Sequence, residues 1–281
     1  MDDSEANADP FTDADTFASD TAISLLDEGR WGATLRRGWW IVRGPNGGYL
    51  AAIVLRAILA EVDDPARRPR SVTLHYIAPP QAGPAEVHTT IERSGRSLTT
   101  VTARLIQAGE VKVLAMAAVA TDRDAPEWSD LPAPDVPPAD ALAVSEEPST
   151  VPLSARFDQR GLQGRPFAGE PRAQTMGWIR PAEPAPLDWC LIAALTDAWL
   201  PAVFVKHAGF AAVPTIDLTI HFRDPLPPGD TTGAWCLVRF TTDVSSSGYL
   251  EETGEVWSAD GRLLAQSRQL AVFMPLDQAE G

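Results

Sequence analysis

Two stretches of the chain carry one pattern: Arg70-Ser-Val-Thr-Leu-His-Tyr-Ile-Ala-Pro-Pro-Gln-Ala-Gly83 and Thr215-Ile-Asp-Leu-Thr-Ile-His-Phe-Arg-Asp-Pro-Leu-Pro-Pro-Gly229. In each, apolar and polar residues alternate over the length of a strand, then run into a Pro-rich turn closed by glycine. Each is preceded by an apolar helical stretch and followed by further strand-like runs. The copies stand roughly 145 residues apart, far beyond the ~20–50 residues of a solenoid unit. That spacing fits one small domain present twice in tandem.

Outward from these strands the two halves read alike. In the first, Thr34 to Val42 reads as a strand, Gly44-Pro-Asn-Gly-Gly48 as a turn, and Tyr49 to Val62 as a helix. That helix is apolar all round and is therefore expected to be buried all round. Strands are predicted at Val72–Tyr76, Thr99–Leu105 and Val111–Val119. In the second half a strand over Thr175–Ile179 leads to a helix over Leu187–Trp199. Strands follow at Ile216–Phe222, Ala234–Thr242, Leu250–Trp257 and Leu263–Phe273. A helix followed by an antiparallel meander, twice, is an α+β pattern. Residues 1–20 read as a disordered acidic N-terminus, 21–122 and 171–276 as the two domains, and the Pro-rich stretch 123–170 as a linker.

Bulk properties narrow the function. The 281 residues, 44% of them hydrophobic, can fill two cores. No stretch approaches the roughly 20 apolar residues of a membrane span. The acidic N-terminus lacks the basic and apolar regions of a secretory signal, so a cytoplasmic protein is expected. Cys190 and Cys236, both in apolar surroundings, suggest neither a disulfide framework nor a metal site. A net charge of −15 argues against nucleic acid as partner. It leaves room for an anionic small molecule on a local basic patch.

Three polar residues stand out. Asp197 is the one charge in the body of the predicted second helix, on a face with Cys190, Ala193 and Ala194. A carboxylate there is either buried with a raised pKa or turned to solvent near the helix end. Thr215 opens a strand whose core face is expected to be Ile216, Leu218, Ile220 and Phe222. That puts Thr215 with Asp217, Thr219, His221 and Arg223 on the other face, where it reads as an ordinary strand-end threonine. Gln269 lies in a C-terminal strand otherwise headed for the core, and a buried Gln needs partners for both ends of its amide. There is no Gly-x-Ser-x-Gly elbow, Walker loop or Cys/His metal spacing.

Taken together, Thr196-Asp197 with Leu200-Pro201, Pro214-Thr-Ile-Asp-Leu-Thr-Ile-His-Phe-Arg223, and Asp260-Gly-Arg-Leu-Leu-Ala-Gln-Ser-Arg-Gln269 resemble the acyl-CoA thioesterase II family. Gly47-Gly48 and Ser94-Gly-Arg-Ser-Leu98 extend the resemblance into the first half. Tyr49 follows Gly47-Gly48 where the resemblance would have a Gln. The resemblance implies a double hotdog: two tandem antiparallel sheets, each wrapped around a long central helix. It implies hydrolysis of acyl-CoA to free acid and CoA, with Asp197, Thr215 and Gln269 holding the water. In that scheme Asp197 is the base, and Thr215 and Gln269 present donors to the developing negative charge. No cofactor or metal is implied. A homodimer or larger homo-oligomer is, as is one site per chain, since the first half has no Asp comparable with Asp197. Arg67, Arg68 and Arg70 are candidates for the CoA phosphates. A hotdog hydratase would need a His about five residues beyond the Asp, where Ala202 stands. The alternative is a non-catalytic hotdog that binds acyl-CoA or acyl carrier protein.

Overall fold

In the computed structural model, which describes residues 16–42, 44–143 and 151–275, the two echoed strands lie side by side. The first half contains a one-turn helix α1 (Phe17–Asp20), strands β1 (Ile23–Asp27) and β2 (Arg30–Leu35), and helix α2 (Gly47–Val62). The strands β3 (Arg68–Tyr76), β4 (Gly83–Ser94), β5 (Leu98–Gln107) and β6 (Glu110–Ala120) complete it. The second half has β7 (Phe157–Gln163), β8 (Ala173–Pro181), helix α3 (Trp189–Leu195) and a one-turn α4 (Val203–Lys206). It continues with β9 (Ala211–Ala212), β10 (Thr215–Phe222), β11 (Cys236–Thr242), β12 (Ser245–Ser246), β13 (Tyr249–Ser258), β14 (Leu263–Val272) and β15 (Met274–Pro275).

The main sheet runs β1-β2-β4-β5-β6-β3-β10-β14-β13-β11-β8-β7. From its midpoint outward, the second half repeats the strand order of the first. The midpoint is the echoed pair: β3 and β10 are antiparallel, with Thr219 opposite Thr73 and their hydroxyls 3.0 Å apart. The expectation of two separate sheets is thus corrected to one continuous 13-stranded sheet. The inward rows, Val72 and Leu74 on β3 and Leu218, Ile220 and Phe222 on β10, enter one apolar core that spans both halves. Helix α2 is almost wholly buried in that core, in line with its all-round apolar sequence.

Several local expectations are revised. The first strand ends at Leu35, and Arg37–Trp39 is a 3-10 turn instead of strand. The turn lets Trp39 go inward, where its indole stacks on Tyr49 at 4.9 Å and donates to Asp20 Oδ2 at 2.7 Å. Tyr49 is therefore a core residue, its hydroxyl donating to the Asp20 carbonyl. Of the N-terminal stretch expected to be disordered, residues 1–15 lie outside the described residues. Phe17–Asp20 is helical, with Phe17 and Asp20 buried. The stretch read as linker contributes the strand β7. Its apolar residues Leu131, Val136, Ala139 and Leu142 cover Trp178, Leu237 and Trp257 of the second half.

The second helix is shorter than predicted. Helix α3 has seven residues and stops at Leu195. The Thr196 hydroxyl donates back to the Ala193 carbonyl at 2.8 Å, and the N–H groups of Thr196 and Asp197 bond three residues back. Such tightening ends a helix, and Pro201 follows before it could resume. Asp197 thus sits in the turn beyond α3, not in a helix body.

Just before that turn, the end of α3 packs tightly against the start of α2 in the other half. A Cβ on Gly48 would lie 2.5 Å from the Ala194 carbonyl oxygen, a backbone atom that cannot swing away. Gly48→Ala is accordingly expected to cost about 1–3 kcal/mol by overpacking, read as a lower midpoint in thermal or denaturant unfolding. An unchanged midpoint would contradict this contact.

Candidate active site

Position 216 decides where Thr215 points. On β14, Leu218 faces Gln269 and Asp217 faces Leu270, but Thr215 faces Ala271, so Ile216 is one residue too many. A β-bulge of this kind shifts the alternation by one. Thr215 is thereby turned from the outer face, where simple alternation put it, to the face of Leu218 and Gln269. Its hydroxyl donates to Gln269 Oε1 at 2.9 Å. Asp217 stays in register opposite His75, and His221 is exposed on the outer face.

The other end of the Gln269 amide is also engaged. Gln269 Nε2 donates to Glu252 Oε1 at 2.8 Å across the β13–β14 pair, and Glu252 Oε2 accepts the Ala202 N–H at 2.6 Å. Glu252 and Gln269 are both buried. Burial pushes the Glu252 carboxyl up to about 7, against the hydrogen bonds from Ala202 and Gln269, and the charge of Asp197 adds to the rise.

Asp197 meets this group from the opposite side. Its Oδ2 accepts from the Gly48 N–H and from Asn46 Nδ2, both at 2.9 Å. Asn46 caps α2, taking the Tyr49 N–H on its side-chain oxygen and giving its Nδ2 also to the Asp197 carbonyl at 2.7 Å. The carboxylate from the second half therefore sits on the positive end of the first half's long helix, where an anion is stabilised. Gly47 is needed here as well, since a Cβ would lie 2.9 Å from both Asp197 Oδ2 and Tyr76 Oη. Burial raises the Asp197 pKa to about 6, against hydrogen bonds from Gly48, Gln269, Gly47 and Asn46. Tyr76, whose hydroxyl donates to the Gly47 carbonyl at 2.8 Å, is held well above its ordinary value by burial and then by Asp197.

Asp197, Thr215 and Gln269 are thus brought together, with Gln269 in contact with the other two. Glu252, Asn46 and Gly48 join them, and sequence reasoning gave these no role. A signal for Glu252 existed: it interrupts the inward row Leu250, Gly254, Val256 of β13 with a charge. Cys190 and Cys236 are buried with thiols pushed up to about 12, so neither offers a thiolate at neutral pH.

The three arginines proposed for phosphates lie elsewhere and are occupied. Arg67 bonds Asp64 and Thr99, Arg68 bonds Asp122 and the Arg223 carbonyl, and Arg70 pairs with Asp122. Arg68 and Tyr76 are the two ends of β3, some 25 Å apart at ~3.3 Å per residue.

Comparison with known proteins agrees with this architecture. A solved structure from Alicyclobacillus acidocaldarius, a conserved protein of unknown function with a hotdog fold, superposes with a TM-score of 0.85 at 28% identity, covering 92% of this chain and 98% of that one. The acyl-CoA thioesterase II TesB2 of Mycobacterium marinum shares the fold, with a TM-score of 0.75 at 19% identity over 93% and 99% of the two chains. An uncharacterised protein of Mycobacterium tuberculosis is 26% identical over 266 residues, 85% of this chain and 89% of its own. The molecule is an α+β protein of the hotdog class. Residues 36–121 match the acyl-CoA thioesterase N-terminal domain and residues 129–273 the C-terminal domain, and the chain belongs to that family.

The raised carboxylate has a consequence for stability. A folded pKa of about 6 against an ordinary 3.8 means that the native state holds more protons between those values. Stability therefore falls as pH rises through that window, and the full penalty applies above about 6. Asp197→Asn is expected to be more stable than the parent at pH 8, by roughly 1–3 kcal/mol, with the gain shrinking below pH 6. Denaturant unfolding at pH 5 and pH 8 measures it, and an Asn variant less stable at pH 8 would contradict burial of the charge.

Proposed function

We propose that this protein is a double-hotdog hydrolase that splits acyl-CoA thioesters into free acid and CoA, with water as the nucleophile. The observation that carries the reading is the meeting of Asp197, Thr215 and Gln269 at the N-terminus of α2. Family membership supports the same chemistry.

The hydrogen-bond directions suggest the water's orientation. Thr215 spends its proton on Gln269, so its remaining lone pairs accept from the water. Asp197 accepts the water's other proton as general base, with a pKa raised far enough to take it and low enough to be ionised at pH 7. The water oxygen attacks the thioester carbonyl carbon, the tetrahedral intermediate collapses, the C–S bond breaks and CoA leaves as thiolate. The proton on Asp197 then returns to the thiolate or to solvent. Thr215 gives its proton to Gln269 and so is revised from donor to acceptor at the reacting centre. The Gln269 amide gives one N–H to Glu252 and keeps a second on the Asp197 side for the developing charge. The positive end of α2 supplies the field that favours negative charge at this place.

Thiol release from acyl-CoAs of short to long chain is the test. The wild type is expected to turn over at least one class, with log kcat/KM falling on the acid side below about pH 6. The folded Asp197→Asn variant is expected to lose at least about a hundredfold in kcat, as for removal of a general base. Acyl-CoA binding with no thiol release at any chain length would contradict the hydrolase and leave a binding protein.

A further inference from the structure

We propose that Glu252 is a positioning residue for hydrolysis, fixing the Gln269 amide so that Thr215 offers lone pairs, not a proton, to the water. The inference rests on the hydrolytic reading of the site and extends it to a residue beyond the Asp197, Thr215 and Gln269 group.

The argument starts from what each group can donate. Above about pH 7 Glu252 is chiefly ionised, and an ionised carboxylate only accepts. Both Glu252 oxygens do so, one from the Ala202 N–H at 2.6 Å and one from Gln269 at 2.8 Å. Only the NH2 end of Gln269 can satisfy Glu252, so its carbonyl end must face Thr215. That carbonyl has no hydrogen, and the Thr215 hydroxyl must donate to it, as the 2.9 Å contact shows. Two bonds thus carry one orientation from Glu252 to Thr215 at the water site. Its neighbours on this inward row, Leu250 and Val256, are apolar. A buried charge is tolerated only where it is hydrogen-bonded, and here one of its two partners is Gln269.

Glu252→Gln inverts the relay with little change of shape. The new side chain keeps the Ala202 bond through its carbonyl and turns its NH2 toward Gln269. Gln269 then flips, its NH2 faces Thr215, and the Thr215 proton points at the water. On the best acyl-CoA substrate of the wild type, E252Q is expected to lose at least tenfold in kcat with KM within about twofold. With Thr215 already replaced by Val the orientation no longer matters, so adding E252Q to T215V is expected to cost less than about threefold more. Losses that multiply instead, or an E252Q kcat within twofold of wild type, would overturn the inference while leaving the hydrolase intact. Absence of wild-type turnover would overturn the hydrolytic reading, and this inference with it.

Should E252Q fail to fold, the orientation is readable in the wild type by NMR with glutamine side chains 15N-labelled. Nuclear Overhauser contacts from the Gln269 NH2 protons to Glu252 are expected. Contacts to the Thr215 methyl in their place would overturn the inference.

Discussion

The bond between the Asp197 carboxylate and the first turn of α2 is the contact on which the rest of this site depends. It joins residues 149 positions apart, one from each half. The helix offers unpaired N–H groups and a positive end, and the second half supplies the anion. Neither half has both. The junction is close enough that Gly47 and Gly48 cannot carry a side chain without displacing Asp197, Tyr76 or the Ala194 backbone. The turn Gly44-Pro-Asn-Gly-Gly48 is the seat of a carboxylate from the same chain.

The tandem halves contribute unlike parts to this site. The halves repeat a strand order about the β3–β10 seam, but their helices have diverged. α2 runs 16 residues through the core, whereas α3 ends after seven in a tightened turn. The shortening puts Asp197 on a turn that can reach the other helix's N-terminus. The Pro-rich stretch between the halves packs on Trp178, Leu237 and Trp257, so it also shields one outer face of the sheet.

Much of the fold was legible because it follows from local alternation. The strand rows around Leu218, Val256 and Val101 and the apolar helix α2 have periods that a short window reveals. The site was less so. Thr215 read as facing outward because an extra Ile leaves no mark in composition: Ile216 suits a strand in any register, and only pairing with β14 exposes the bulge. Helix α3 read as longer because Ala198 and Trp199 continue an apolar pattern, while the Thr196 back-bond that ends it depends on conformation. Asp197, Thr215 and Gln269 were each ambiguous alone, and they were named through the family resemblance. The bonds that join Thr215 to Gln269 and Asp197 to Gly48 span 54 and 149 residues, beyond any local pattern. Glu252 was the one legible signal passed over, a charge on an inward row.

The central claim is direct attack by water held between Asp197 and Thr215. It is tested most directly by a single turnover in H2(18O) with enzyme in excess over acyl-CoA. One 18O in the released acid, none in the protein and no acyl adduct in the intact mass are expected. Label in the Asp197 carboxylate, or an acyl group on Thr215 or Asp197, would contradict direct attack and require a covalent route.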